Sequence, residues 1–182
     1  MSTRINLLAA IAVAALTVSP AAAKSPMVGG AAMYPTKTIV ENALNSKDHT
    51  TLVAAVKAAG LVETLSGPGP FTVFAPTNAA FAKLPPGTVD TLVKPESKAT
   101  LTSVLTYHVV PGRITAEQIT ALARKNKGTA TLKTVQGGSL KFRKSGAAWL
   151  VVDAKGNTAR ITIPNVMQSN GVIHVIDTVL MP

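Results

Sequence analysis

The hydrophobic pattern changes period once along the chain, and that change does most to limit the fold. From Thr36 onward, Ile39, Val40, Leu44, Leu52, Val53, Val56 and Ala59 recur at three- and four-residue spacing, the period of helices with one buried face. Gly60 stands where the second of these helices would stop. After Gly128 the pattern becomes a series of short strand candidates at 129–135, 140–143, 149–153, 160–163 and 172–176. Gly137-Gly138, Ser145-Gly146, Gly156-Asn157 and Asn170-Gly171 supply the turns between them. Helices early and strands late indicate an α+β fold, with helices packed on one side of a largely antiparallel sheet system. No internal repeat is present.

The segment between these halves carries its own punctuation. In "SGPGPFTVFAP" the prolines Pro68 and Pro70 exclude a helix, while residues 71–75 form a strand candidate rich in aromatic and β-branched side chains. Phe71, Val73 and Ala75 fall on one face and Thr72 and Phe74 on the other, so this strand reads as buried on both. Thr77 or Asn78 then offers a side-chain oxygen to cap a short helix carrying Ala79, Ala80, Phe81 and Leu84, which Pro85, Pro86 and Gly87 end. A helical stretch at 97–105 leads into "TYHVVPG", read as an interior strand closing at Pro111 and Gly112, and Thr115 caps one more helix at 116–124.

The first residues bear on the compartment. Arg4 precedes an apolar run from Ile5 to Val18 broken only by Asn6 and Thr17, followed by Ser19, Pro20 and three alanines, the order of a secretory signal peptide with cleavage after Ala23. The run is shorter than the roughly 20 apolar residues that cross a bilayer. Residues 1–23 are therefore read as a signal peptide, 24–35 as a flexible lead containing Gly29 and Gly30, and 36–182 as one domain. Removing 23 of 182 residues leaves 159, an ordinary single-domain size. The chain holds no cysteine, so neither a disulfide nor a cysteine-linked lipid anchor is available to the exported protein.

The net charge of +10 is unevenly placed. Between Arg113 and Arg160 there are ten basic residues against two acidic ones, Glu117 and Asp153. Outside the cell, such an excess suits association with acidic polysaccharide, phospholipid or cell-wall polymer, with Lys141, Arg143 and Lys144 as candidate contacts; the plainer reading is a solvated face that keeps the protein soluble. Aromatic residues make up 4% of the chain, too few for a base-stacking surface, and export makes nucleic acid an unsuitable partner. No serine lies in a Gly-x-Ser-x-Gly turn, and "GPGP" lacks the lysine and hydroxyl residue of a phosphate loop. His49, His108 and His174 match no short metal-ligand spacing, and no cofactor or metal is expected.

Three segments carry a family resemblance: "FTVFAPTNAAF" (71–81), "TYHVVPG" (106–112) and "NGVIHVIDTVLMP" (170–182). In this order they resemble the signatures of the fasciclin, or FAS1, domain, over about residues 36–182. The resemblance implies a β-sandwich or wedge with packed helices, in a family of extracellular or surface-attached adhesion domains not established as enzymes. In animal members the tyrosine-histidine segment has been linked to integrin binding, which would carry onto Tyr107 and His108; this chain has no Arg-Gly-Asp. From the residues alone, alternation pairs Tyr107 with Val109 and His108 with Val110, so His108 reads as a core histidine that must find hydrogen-bond partners. Its other reading is a partner-binding residue. The chain is thus expected to be a secreted or periplasmic binding or adhesion module for a cell-surface or matrix component. The alternatives are a carrier of a small apolar ligand such as a carotenoid and an enzyme with an unrecognised site.

Overall fold

A computed structural model describes residues 25–182; the signal peptide expected at 1–23 lies outside the described residues. Three of the described helices begin where a side chain satisfies a free amide. Helix α1 (Ile39–Asn45) starts at Thr38, whose hydroxyl accepts from the Glu41 amide while the Glu41 carboxylate accepts from the Thr38 amide. Helix α2 (Thr50–Ala59) ends at Gly60, in the left-handed conformation with φ 74°. After α3 (Val62–Ser66), the expected strand forms at Phe71–Pro76, and Thr77 caps α4 (Asn78–Ala82) by accepting from the Ala80 amide. Then come α5 (Thr88–Leu92), α6 (Lys98–Tyr107), and α7 (Ala116–Lys125), which opens with a second capping box between Thr115 and Gln118.

Among the described residues nine strands accompany these helices. A two-residue pair, β1 (Met27–Val28) and β2 (Ala31–Ala32), stands apart. Strands β3 (Phe71–Pro76), β4 (Val109–Pro111), β5 (Thr129–Lys133), β6 (Ser139–Ser145), β7 (Ala148–Val152), β8 (Thr158–Gln168) and β9 (Gly171–Ile176) make one sheet in the order β4-β3-β9-β8-β7-β6-β5. Every neighbouring pair is antiparallel except β3 with β9. The sheet curls until its ends meet: past β5, the Val135 amide donates to the Val109 carbonyl (2.8 Å) and the Gln136 amide to that of Thr106 (3.3 Å).

Two cores result. One lies between the sheet and helices α1–α4 and α6, with Ile39, Leu52, Val73, Leu101, Val104 and Ile173 among its members. The other fills the curled sheet beneath α7, around Phe74, Ile119, Leu140, Phe142, Val151 and Ile176. Strand β3 divides them, Val73 and Ala75 facing the first and Phe74 the second, so its burial on both faces agrees with the alternation read from the sequence.

Three expectations are corrected. Residues 27–33 are not a flexible lead but the β1–β2 hairpin, turned by Gly29 (φ 58°) and Gly30 (φ 77°), with Val28 and Met33 buried in the first core. Asn42 holds the hairpin down by accepting from the Tyr34 amide and donating to the Tyr34 carbonyl. The segment 106–108 is not strand: α6 runs through Tyr107 and His108 is its C-cap, because Leu101, Val104, Leu105 and His108 keep helical spacing and the ladder with β3 begins only at Val109. Strand β8 is far longer than 160–163. Pro164, which lacks an amide hydrogen, and two register irregularities hide its second half from a pattern search.

The docked hairpin is open to measurement. Met33→Ala should lower unfolding stability by about 2–5 kcal/mol in urea denaturation, as buried large-to-small changes do. A lead without contacts would leave the midpoint unchanged.

Candidate functional site

The expected partner-binding pair sits at the C-terminal end of α6, and packing decides what it can do. Tyr107 is fully buried. Its hydroxyl donates to the Ser139 carbonyl (2.9 Å) and accepts from the Ala154 amide (2.9 Å), which joins the β5–β6 turn to the β7–β8 turn. Burial pushes its pKa up. The ring lies so close to Gly138 that a Cβ there would come within 2.6 Å of it.

His108 is equally committed. Its Nδ1–H donates to the Val104 carbonyl one turn back (2.8 Å), and its Nε2 accepts from the Leu180 amide (3.0 Å). That pattern selects the neutral Nδ1–H tautomer. Burial lowers its pKa to about 4, against smaller opposing effects of the Val104 bond and the Asp153 charge. The imidazole therefore ties α6 to the closing segment, where Asp153 also accepts from the Met181 amide (2.9 Å). As folded, neither Tyr107 nor His108 reaches solvent, and contact with a partner would require this end of the molecule to open. Of the remaining histidines, His174 is structural in the same sense, whereas His49 bonds through Nδ1 alone and its buried Nε2 has no partner among the described residues. His174 donates to the Ile114 carbonyl, accepts from the Asn165 amide and stacks on Phe74, and His49 exchanges a hydrogen bond with Ser46. Burial lowers the pKa of both. Among the described residues no group of three or more histidines or carboxylates is placed to hold a metal.

The basic candidates occupy a different region. On β6, Leu140 and Phe142 point into the second core, while Lys141 and Arg143 stand on the outer face. Register brings two more cations to that face: Lys133 from β5, and Arg160 from β8, opposite Leu150, which itself lies opposite Arg143. Lys144 alternates to the other side, opposite Trp149, and is exposed. None of these five makes an ion pair; among the described residues the one found is Lys83–Asp177 at 3.7 Å. Sequence counting registered the basic excess but could not show that Lys133 and Arg160 belong with Lys141 and Arg143, since only strand register places them together.

Space for an apolar cargo inside the first core is limited. A cavity lined by Ile39, Leu52, Val56, Val73 and Leu105 holds about 40 Å³, and its neighbour beside Met33 about 20 Å³. Both are well below the ~150 Å³ of a cavity that takes up benzene.

Comparison with known proteins agrees with the signatures. The family model described as "Fasciclin domain" matches residues 47–182. Protein sll1483 of Synechocystis is 49% identical over 160 residues, covering 87% of this chain and 81% of the relative. Immunogenic protein MPB70 of Mycobacterium bovis is 37% identical over 194 residues, covering 96% and 92%. The cell surface glycolipoprotein MPB83 of the same species is 36% identical over 160 residues, 88% of this chain and 62% of the relative. Among solved structures, a FAS1 domain pair from the insect cell adhesion molecule fasciclin I shares the fold with a TM-score of 0.71 at 19% identity, covering 80% of this chain and 51% of that one. The curled α+β wedge with its two cores is thus a FAS1 fold. The chain belongs to the fasciclin domain family.

Acid should expose the histidines. Unfolded histidines bind protons below about pH 6.5, whereas His108 folded does so only near 4 and His49 and His174 are also lowered. Their stabilisation is complete above about pH 6.5 and falls with pH, His108's share being gone below about 4, at up to about 1.4 kcal/mol per pH unit for that residue. At neutral pH, His108→Ala strands the Leu180 amide and leaves a cavity, for an expected loss of about 3 kcal/mol. An unchanged thermal melt would show that His108 does not hold the closing segment.

Proposed function

We propose that this chain is an exported binding module that attaches to anionic components of a cell surface or extracellular matrix through the outer face of β5–β8. The observation that carries this reading is the cluster of Lys133, Lys141, Arg143 and Arg160 on one sheet face, exposed and without carboxylate partners among the described residues. A stable fold has no need of four unpaired cations on neighbouring strands, whose repulsion costs stability, whereas an anionic surface would neutralise them. Lys144 extends the positive field beyond the strand end.

Two kinds of relative support the setting. One homologue is described as a cell surface glycolipoprotein, and the matching insect structure comes from a cell adhesion molecule. The leader pattern at residues 1–23 supports export, and among the described residues no helix is long and apolar enough to cross a membrane. The reading assigns no catalytic step. Tyr107, His108 and His174 spend their polar atoms on structural hydrogen bonds.

Replacing Lys141, Arg143 and Lys144 together by glutamine tests the electrostatic contact. With about 1 kcal/mol per basic residue near an anionic surface, affinity for an acidic polymer should fall on the order of 100-fold at low salt. Wild-type binding should weaken steeply as salt rises through about 0.1 M, where exposed charges are screened beyond about 10 Å. Binding that ignores both treatments would rule the basic face out. Export has its own check: protein recovered outside the cytoplasm should begin at or near Lys24 by mass spectrometry, and an intact Met1 terminus there would remove the leader from the account.

A further inference from the structure

The sheet carries a gap where β7 and β8 part company. Their ladder covers only Leu150↔Arg160 to Val152↔Thr158, although β7 stays paired to β6 as far as Ala148. Strand β8 leaves β7 to follow β9, shifting register between Ile161 and Ile163 and again between Ile163 and Val166, with Asn165 at φ 57°. What opens between them is a groove of about 450 Å³ lined by Ala148, Trp149, Arg160, Ile161, Thr162 and Pro164. That volume lies in the range of small-molecule sites, about 300–1,000 Å³.

The lining has two characters. Trp149, Ile161 and Pro164 contribute apolar surface, the first two only at an edge because they are 8% and 6% exposed, and Arg160 and Thr162 contribute polar groups. Arg143 and Lys144 flank it, lying opposite Leu150 and Trp149 across the β6–β7 ladder. Thr162 donates to the Val175 carbonyl, which leaves its oxygen lone pairs free to accept. The carboxylate that reaches this stretch, Asp177, accepts from the Arg160 backbone amide (2.8 Å) and pairs with Lys83, so it does not neutralise the Arg160 guanidinium.

We propose that this groove holds an acidic sugar residue of a polysaccharide, its carboxylate on Arg160 and the apolar face of its ring against Trp149 and Ile161. A pyranose offers a C–H face and a hydroxylated edge, which suits a cleft lined by both apolar and polar side chains. A guanidinium matches a carboxylate with two parallel hydrogen bonds, which a neutral sugar cannot accept. A membrane surface is a poor fit to a recess of this kind, which it cannot enter. An added peptide strand is no better, because Pro164 and the register shifts break the regular row of amides and carbonyls that strand addition needs. The proposal rests on the anionic-surface reading and narrows it to one site.

Trp149 is the sole tryptophan of the chain, so its emission reads the groove directly. Oligogalacturonate, its fully methyl-esterified form and poly-glutamate would each be titrated into the protein, with retention on immobilised polygalacturonate measured alongside. The free acid should give a saturable emission change that the ester and the peptide do not. Arg160→Gln should raise the dissociation constant about tenfold or more, and Ala148→Phe, placed to fill the groove, should abolish the emission change with an unaltered melt. Polymer retention with silent Trp149 emission overturns the groove while the basic face stands. An emission response without polymer retention supports the groove and removes the broader surface reading. A response equal for acid and ester, or unaffected by Arg160→Gln, overturns the proposal, as does a response to poly-glutamate alone.

Discussion

Strand β3 has no exposed face, and the rest of the molecule is arranged around that fact. A strand buried on both sides must be covered twice, so the chain needs one core above it and one below. Its backbone must also be satisfied along both edges, which β4 does antiparallel and β9 parallel. The parallel partner cannot arrive by a hairpin. Between β3 and β9 the chain therefore makes a long excursion through α4–α7 and β4–β8, and that excursion builds the curled sheet enclosing the second core. At the junction there is no room for a side chain: a Cβ on Gly171 would land on the Phe71 carbonyl oxygen.

Buried polar residues join the parts that this excursion separates. Asn170, just before β9, accepts from the Ile39 amide (3.0 Å) and donates to the Leu65 (2.8 Å) and Gly67 (3.0 Å) carbonyls, which fastens α1 and the end of α3 to the strand. His108 fastens α6 to Leu180, and Tyr107 fastens it to two turns of the curled sheet. Each such bond adds only about 1 kcal/mol net, but breaking one strands a buried partner at about 1–3 kcal/mol, so these side chains specify the arrangement more than they strengthen it. This is a physical reason for a tyrosine-histidine pair in the interior of a fasciclin domain, independent of any contact with a partner.

The exposed outer face of β5–β8 is organised differently. Its inner side is committed to the second core by Ala130, Leu140, Phe142, Val151 and Ala159, and strict alternation then delivers every second residue to solvent. The cations there sit on a framework that the core already pays for, so they are held at fixed strand spacing. The gap between β7 and β8 has a related origin. Strand β8 cannot follow both β7 and β9 along its whole length while the sheet curls, and it separates from β7 at Arg160, where Pro164 and the left-handed Asn165 allow the bend.

By itself the sequence determined the local elements and the fold class. Helical spacing at Ile39–Val56, the threonine caps at Thr38, Thr77 and Thr115, the stop at Gly60 and the glycine turns after Gly128 all act within a few residues, and each is present in the structure near its expected place. The three fasciclin signatures were legible because each is a short contiguous run, and the family match spans all three. Local pattern failed where distant residues decide. The β1–β2 hairpin is ordered by Asn42 and the first core, and His108 ends a helix whose last turn is held by Leu180, 72 positions away. Lys133, Lys141, Arg143 and Arg160 form one face only through the register of strands β5–β8. A one-residue slip in any of those strands would have sent its cation to the core side, and what prevents the slip is the packing of the buried residues between them.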